Sequence, residues 1–260
     1  MAIFTFTTDL GNADYYVAAL KGRIVNSLPT ANIVDISNEV AKFDHLKAAY
    51  IIKHAAPHFP AKTIHIVGVN DFKNNANRLL VAHYLDQYFV SYDTGFFSLL
   101  IDDLSKAKLY EIKLASKSYN NLMPFQELID VAIKISSNLP LAIIGTETTN
   151  VKKQFIWQAQ KMEKTIVGNI IYIDKFDNII TNISEELFGQ YLNFKSFEIQ
   201  FHLKKYAIRY ISKSYADVGP GDLVAIINYA GYLEIAINQG QAAKLLGLKI
   251  GEKINIEFTR

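Results

Sequence analysis

The sequence predicts two domains: an N-terminal α/β domain with a parallel or mixed sheet, followed by a smaller all-β, barrel-like C-terminal domain. Over residues 1–148, β-rich apolar runs alternate with segments of helical periodicity, an order typical of α/β folds. Over residues 154–260, short alternating strands follow one another with Gly, Asn and Asp at the joints. The polar stretch GTETTNVKKQ (145–154) between them is the predicted hinge.

The elements of the N-terminal domain follow from periodicity and from capping residues. Strands are predicted over 2–8, 32–36, 62–69, 78–84, 87–92 and 108–114. Helices are predicted over 12–28, 44–57 and 124–136. Asn12 and Asp44 are the predicted N-caps of the first two helices, because their side chains accept backbone hydrogen bonds at a helix start. Pro124 stands in the first turn of the third helix, where its missing N–H costs nothing.

The C-terminal domain is predicted to consist almost entirely of strands. Its alternating runs are TIVGNIIYID, NIITNI, FEIQFHL, YAIRYI, LVAIINY, YLEIAIN and INIEF. A helical signal is present only near 184–192. Short strands joined by turn residues are typical of a small barrel or sandwich.

Composition limits the location and the partners. The 260 residues carry a net charge of +2 with acids and bases interleaved, so no nucleic-acid or membrane partner is predicted. Cysteine is absent, which suits a cytoplasmic protein. The first residues show no signal-peptide pattern, and no uncharged apolar run reaches the about 20 residues that span a bilayer. The six histidines lack metal-ligand spacing, so no metal site is expected.

Asp9 stands at the end of the first predicted strand, with Gly11 close behind it. Ligands of open α/β sheets bind outside the carboxyl ends of the strands, and a carboxylate suits the paired hydroxyls of a ribose. An equally weighted alternative is that Asp9 caps the helix predicted from residue 12. Asp14 falls in the first turn of that predicted helix, where a negative charge interacts favourably with the helix dipole. Asp14 is therefore interpreted as structural.

Three further polar clusters follow predicted strands. They are GVNDFKNNANR (68–78), YIDKFDNIITNI (172–183) and GYLEIAINQGQAA (231–243). Asp, Asn and Gly favour turns, so each cluster taken alone is more typical of a turn than of a site. A polar loop at the end of an α/β strand is nevertheless where a site would lie.

Taken in order along the chain, the stretch around Asp9 and the last two of these clusters resemble the motifs of one family. TFTTDLGNADYYVAALKG, YIDKFDNIITNI and GYLEIAINQGQAA are similar to the start, middle and end motifs of the S-adenosylmethionine (SAM) hydroxide adenosyltransferases. These are SAM hydrolases, related to the SAM-dependent fluorinase and chlorinase. FPAKTIHIVGV and YDTGFFSLL (92–100) are similar to further stretches of the family. The matches span nearly the whole chain.

The resemblance implies a fold, an assembly and a reaction. It implies an α/β domain, a C-terminal β-barrel and a homotrimer, with the ligand between the N-domain of one subunit and the C-domain of its neighbour. The reaction would be transfer of the adenosyl group of SAM to water, giving adenosine and methionine. SAM would be the substrate, and no cofactor is expected.

The resemblance also assigns substrate-binding residues. Asp9 would hold the two ribose hydroxyls, and Asp174 would meet the amino group of the methionine part. Asn178 would meet the adenine edge, and the backbone around Asn238 to Gly240 would also line the adenine pocket. Phe176, in the same stretch as Asp174, joins this set.

The catalytic set departs from the family pattern. The family has an Asp, an Arg seven residues later, and a His in a Phe-His-Gly-Arg stretch. One alignment of the family motif places its Asp and Arg at Asn70 and Asn77. Shifting the alignment by one residue places them at Asp71 and Arg78. The His position is Gln126. The predicted catalytic residues are therefore Asp71, Arg78 and Gln126.

These departures affect water activation more than binding. Gln126 can orient a water but cannot act as a base near neutral pH. Glu127, beside it, would repel a halide nucleophile, which favours water. Asp177 stands where the family has Gly, and Tyr229 where it has a small polar residue.

Three functions are consistent with the sequence. The first is SAM hydrolysis, with slow turnover. The second is a catalytically impaired protein that binds SAM or adenosine. The third is a trimeric scaffold without a nucleoside ligand.

Overall fold

The computed structural model describes residues 2–69, 78–113, 125–155, 157–191, 193–201 and 206–259. The chain forms two compact units, Met1–Gln154 and Phe155–Arg260. Within the described ranges, no helix has the length and apolar character needed to cross a membrane.

In its described residues, the N-terminal unit contains seven strands and five α-helices. The strands are β1 (Ile3–Thr8), β2 (Asn32–Ser37), β3 (Ile64–Gly68), β4 (Leu79–Tyr84), β5 (Gln87–Tyr92), β6 (Lys108–Ile112) and β7 (Gly145–Glu147). The helices are α1 (Tyr16–Ser27), α2 (His45–Ala55), α3 (Phe96–Leu100), α4 (Gln126–Ser136) and α5 (Leu141–Ile144). The sheet order is β2-β1-β3-β5-β4-β6-β7. Strands β2, β1, β3 and β5 are parallel and the others antiparallel, so the predicted mixed α/β fold is confirmed.

Helices cover both faces of this sheet. On one face, Phe4 and Phe6 of β1 lie in one apolar cluster with residues of α1 and α4. On the other face, Val67 of β3 and Phe89 of β5 lie in a second cluster with residues of α2 and α3. Strands buried on both faces explain why the sequence shows continuous apolar runs there.

The predicted helix caps had different outcomes. Asp44 is the N-cap of α2, and its Oδ1 accepts a hydrogen bond of 2.8 Å from the backbone N–H of Lys47, which confirms the prediction. The Asn12 cap is wrong, because α1 begins at Tyr16 and its N-cap has no side-chain hydrogen bond. Asp14 accordingly precedes the helix, and the first turn holds no acidic residue. Pro124 lies outside the described residues.

The segment 145–154, predicted as the hinge, is bonded to the N-terminal unit, and the boundary between the two units falls at its end, after Gln154. Its first residues form β7, which pairs antiparallel with β6. Further along, the backbone N–H of Lys152 donates to Asp93 Oδ1 at 2.9 Å, and that of Gln154 donates to Ser98 Oγ at 2.9 Å.

The C-terminal unit is an antiparallel β-structure. Its strands are β8 (Gln160–Lys161), β9 (Thr165–Ile173), β10 (Ile179–Ser184), β11 (Ser196–Gln200), β12 (Ala207–Ile208), β13 (Leu223–Ile227), β14 (Tyr232–Ile237) and β15 (Lys253–Thr259), with helices α6 (Glu185–Gly189) and α7 (Ala242–Leu246). The order is β12-β11-β15-β9-β10-β14-β13, with β8 paired to β9. Ser212, just after β12, donates its backbone N–H to Ala225 O in β13 at 2.8 Å. This contact nearly closes the sheet, and it confirms the predicted barrel-like domain.

A fully buried histidine lies inside the N-terminal sheet. Thr5 Oγ1 is 2.7 Å from His65 Nδ1, and His65 Nε2 is 3.3 Å from Gln87 Oε1. The Gln87 amide nitrogen already donates to Phe59 O at 2.8 Å, so its oxygen faces the ring as an acceptor. A neutral imidazole with its proton on Nε2 satisfies both partners. Burial lowers the pKa of His65 to about 4.

This pKa predicts an acid-dependent loss of stability. Unfolded His65 binds a proton near its ordinary pKa of 6.5, whereas folded His65 does so only near 4. The unfolded state therefore binds more protons between these pH values, and the free energy of unfolding falls as the pH falls through them, by at most about 3 kcal/mol. Urea unfolding from pH 7 to pH 4.5 measures the effect. His65→Gln should show a shallower dependence than wild type, and equal slopes in the two proteins would contradict it.

Candidate functional site

The parallel strands of the N-terminal unit bring Asp9 and the start of α4 to one edge of the sheet. Thr8, the last residue of β1, pairs with Gly68 at the end of β3, and the backbone N–H of Asp9 donates to Gly68 O at 3.2 Å. A Cβ on Gly68 would lie 2.7 Å from Cδ2 of Phe125, which directly precedes α4. Glycine thus allows α4 to begin against the carboxyl end of β3, with Gln126 as its first residue.

The Asp9 side chain holds the loop that precedes α2. Its Oδ2 accepts a hydrogen bond of 3.1 Å from the backbone N–H of Phe43, whose φ is +66°. The alternative that Asp9 caps the first helix is wrong, because α1 starts seven residues later at Tyr16 and its N-cap is Tyr15. Asp9 therefore places a partly buried carboxylate at the carboxyl end of a parallel strand, where ligands of this fold class bind.

A network of polar side chains fixes the loop between β1 and α1. Thr8 Oγ1 donates to Asn38 Oδ1 at 2.9 Å, and Asn38 Nδ2 donates to Asn12 Oδ1 at 3.1 Å. The backbone and side-chain nitrogens of Asn12 both donate to Glu39 Oε1 at 3.1 Å. Asn12 thus binds a carboxylate 27 residues away instead of capping α1.

Arg78 is embedded in an ion-pair network. Its Nη1 donates to Asp93 Oδ2 at 2.9 Å, its Nε lies 2.8 Å from Glu111 Oε2, and its Nη2 donates to Thr148 Oγ1 at 3.1 Å. The Asp93 side chain is 2% exposed, so Arg78 supplies the counter-charge of an enclosed carboxylate. Arg78 thus has a structural role that the sequence spacing did not indicate.

Of the other two predicted catalytic residues, the structure describes Gln126 but not Asp71. Gln126 begins α4 at the sheet edge, and the carboxylate of its neighbour Glu127 accepts a hydrogen bond of 3.0 Å from Tyr92 Oη. Burial raises the pKa of the Tyr92 phenol, and the adjacent Glu127 carboxylate raises it further. Asp71, with the choice between it and Asn70, lies outside the described residues.

A groove of about 550 Å³ lies within the C-terminal unit. The substrate-binding residues predicted in this half of the chain all line it, namely Asp174, Phe176, Asn178 and Asn238. The groove is also lined by Gln239 and Gly240, whose backbone was predicted to line the adenine pocket, and by four residues outside that prediction, namely Lys175, Tyr215, Ile237 and Gln241. The structure therefore brings two separate sequence motifs into one concave surface.

Asp174 organises the turn at one wall of the groove. Its Oδ1 accepts hydrogen bonds from the backbone N–H of Phe176 at 2.8 Å and of Asn178 at 2.9 Å. Its Oδ2 accepts one from Asn178 Nδ2 at 3.0 Å. Asp177 adopts a φ of +64°, a conformation that favours glycine, at the position where the family motif has Gly.

Asn238 and Gly240 also line the groove. Asn238 Nδ2 donates to Val218 O at 2.8 Å, and the backbone N–H of Asn238 donates to Asp222 O at 3.0 Å. A Cβ on Gly240 would lie 2.4 Å from Cγ2 of Ile237, so only glycine fits this turn without a shift. The side chain of Asn238 is thus bound to the neighbouring loop, and the chain after it lies along the groove.

Tyr215 is a groove residue that the sequence patterns did not predict. It lies in a short 3₁₀-helix, Tyr215–Asp217, which begins with a reciprocal capping box between Ser214 and Asp217. Its hydroxyl donates to Glu234 Oε1 at 2.5 Å. Burial raises the pKa of Tyr215, and the carboxylates of Glu234 and Asp174 raise it further. The pattern Ser-Tyr-Ala-Asp is a capping signal that could have located this turn.

The ion pair of Arg78 predicts a large stability effect. Arg78→Gln removes the charge that faces the enclosed Asp93, and breaking a buried pair in this way costs about 3–5 kcal/mol of unfolding free energy. Arg23→Gln is the matched control, because Arg23 pairs with Asp130 at 2.7 Å where both side chains are nearly half exposed. The control should cost about 0–1 kcal/mol. Chemical denaturation measures both, and equal losses in the two variants would disprove the structural role of Arg78.

Comparisons with known proteins agree over nearly the whole chain. Residues 4–145 match the SAM hydroxide adenosyltransferase N-terminal domain, and residues 168–255 match the corresponding C-terminal domain. The chain is 29% identical to the (R)-S-adenosyl-L-methionine hydrolase of Methanocaldococcus jannaschii, over 98% of this chain and 96% of that protein. It is 25% identical to the protein of the same name from Salinispora tropica, over 97% and 96%.

A solved structure shows the same likeness in three dimensions. The crystal structure of an uncharacterized conserved protein from Thermotoga maritima superposes with a TM-score of 0.85 at 28% identity, with 100% of both chains covered. Because the two domain models together cover most of the sequence, the chain belongs to the SAM hydroxide adenosyltransferase family.

Proposed function

We propose that this protein hydrolyses SAM to adenosine and methionine, without a cofactor. The observation that carries the proposal is the match of both family domains in order along the chain, with hydrolase relatives similar over nearly their full length. The groove of the C-terminal unit supports it, because the residues expected there from the family motifs lie together.

The reaction needs few catalytic groups. A water oxygen forms a bond to the 5′ carbon of the ribose while the carbon–sulfur bond breaks, and the proton that the water loses is released to solvent. Methionine departs as a neutral thioether, so its sulfur needs no general acid. The protein must orient the water and the 5′ carbon and exclude bulk solvent.

In this proposal the substrate-binding residues take the roles that the family resemblance implies. Asp9 accepts the ribose hydroxyls, and Asp174 meets the amino group of the methionine part. Asn178 meets the adenine edge, Phe176 provides an aromatic surface, and Asn238 with the backbone that follows lines the adenine pocket. The hydrogen bonds that hold Asp174 and Asn178 together fix their mutual geometry before the ligand binds.

The proposed water-handling set is Asp71, Arg78 and Gln126. Gln126 orients the water through its carboxamide but does not take its proton. Arg78 has three of its nitrogens bound to protein acceptors, so it contributes through its charge and through the position of Asp93. This set predicts a low turnover rate.

A second function is favoured by the same observations. If Gln126 and Arg78 do not support turnover, the protein is a SAM- or adenosine-binding member of the family that lacks efficient chemistry. The substrate-binding groove does not depend on either residue. A homotrimer and a cytoplasmic location complete the proposal, and sedimentation equilibrium of the purified protein measures the assembly.

Direct assay separates the two functions. Purified protein incubated with SAM should release adenosine and methionine in equal amounts, as followed by chromatography. Release no greater than that of a protein-free control, at high protein concentration, would exclude hydrolysis. Calorimetry with adenosine and with SAM then distinguishes a binding protein from a scaffold without a nucleoside ligand.

The ribose role of Asp9 has its own test. Asp9→Asn keeps an acceptor for the backbone N–H of Phe43 but loses the charge and one acceptor for the hydroxyls. We expect affinity for adenosine to fall about tenfold or more, because a hydrogen bond to a charged group is worth about 1.5–3 kcal/mol. Asp14→Asn, an exposed carboxylate in the same loop, is the matched control and should bind as wild type. Equal affinities of the Asp9 variant and wild type would refute the assignment.

A further inference from the structure

Glu234 is a buried carboxylate of the C-terminal unit that binds Tyr215, a residue lining the groove. It lies in β14 and is 5% exposed. Tyr215 Oη donates to its Oε1 at 2.5 Å, and Asn228 Nδ2 donates to its Oε2 at 3.1 Å. Within the described ranges both donors are neutral groups, and Glu234 forms no ion pair. A carboxylate that is enclosed without a counter-charge is costly unless its hydrogen bonds are well placed.

The two donors belong to different segments of the chain. Tyr215 opens the 3₁₀-helix fixed by the capping box of Ser214 and Asp217, and it lines the groove. Asn228 begins the turn before β14, where its Oδ1 accepts from the backbone N–H of Ala230 at 3.0 Å. Glu234 therefore joins a groove segment to the turn that leads into its own strand.

The hydrogen bond also determines what Tyr215 presents to the groove. Its hydroxyl is engaged by the buried Glu234, so the ring is the part that remains for contact with a ligand. The phenol is protonated at neutral pH, and its raised pKa extends the pH range over which it donates to Glu234. Without the carboxylate, the hydroxyl would lose its partner and the ring would be free to adopt other rotamers.

We propose that Glu234 is a positioning residue for nucleoside binding: it holds Tyr215 in one rotamer, so that the groove presents an aromatic face to the uncharged planar part of the ligand. The inference rests on the proposed function, since it concerns the same groove. It assigns a role to a side chain that touches no ligand and acts only through Tyr215.

A double-mutant cycle on adenosine affinity tests the proposal. The proteins are wild type, Glu234→Gln, Tyr215→Phe and the double variant, with dissociation constants from calorimetry. Glu234→Gln retains one acceptor oxygen for two donors, so Kd for adenosine should rise about tenfold. Tyr215→Phe should cause a similar rise. Because both changes remove the same interaction, the double variant should bind no more than about twofold more weakly than the weaker single variant.

A matched control and a kinetic readout separate positioning from general structural support. Glu198→Gln removes a carboxylate of the same unit that pairs with Arg209 at 2.6 Å on the surface, and it should bind adenosine as wild type. In the turnover assay, Glu234→Gln should raise KM for SAM while kcat changes less than about twofold, because the water-handling residues lie in the other unit.

The outcomes are distinguishable. The proposal would be overturned if the factors by which the two single variants weaken adenosine binding multiply in the double variant. It would also be overturned if Glu234→Gln binds adenosine with the Kd of wild type, whether or not its Tm is lower. If Glu234→Gln does not fold, Tyr215→Phe decides alone: weaker binding at an unchanged circular dichroism spectrum supports the proposal, and unchanged binding overturns it. If wild type binds neither adenosine nor SAM, the proposed function fails and this inference fails with it.

Discussion

The enclosed carboxylate of Asp93 requires a positive charge beside it, and Arg78 supplies that charge. The same guanidinium reaches Glu111 in β6 and Thr148 after β7, and the other oxygen of Asp93 binds the backbone of Lys152. A single ion pair thus joins the end of β5, the start of β4 and the last segment of the N-terminal unit. This pair adds a polar link at one end of the antiparallel strands, while apolar layers pack on both faces of the parallel and the antiparallel strands alike.

Sequence patterns predicted the elements that depend on local periodicity. Both domain types and most strands follow from alternation and from continuous apolar runs, and Asp44 caps α2 as its position indicated. The errors arise where a distant partner competes with a local one. Asn12 binds Glu39 instead of the first helix, and residues 145–147 pair with β6 although their composition is that of a linker. Neither partner is visible in a local window of sequence.

The same distinction applies to the candidate site. Residues 174–178 form a turn whose geometry is encoded locally, so the motif correctly brought together residues that line the groove. Tyr215 reaches the groove through the folding of the barrel, which no short motif describes. For Asp174 the interpretation as a turn residue is compatible with the interpretation as a site residue. Its oxygens accept hydrogen bonds from backbone and side-chain amides, and it also lines the groove. Arg78 shows the limit of spacing arguments: its acceptors are 15, 33 and 70 residues away.

The close approach of Phe125 to Gly68 has an evolutionary consequence. Since this contact sets the start of α4 against β3, the location of residue 126 is fixed by packing that does not involve its own side chain. Glutamine and histidine codons differ only in their third base. One nucleotide substitution would therefore exchange the carboxamide for an imidazole at an unchanged place in the fold. Lineages of this protein can thus gain or lose a proton acceptor at this edge of the sheet without rebuilding the scaffold that carries it.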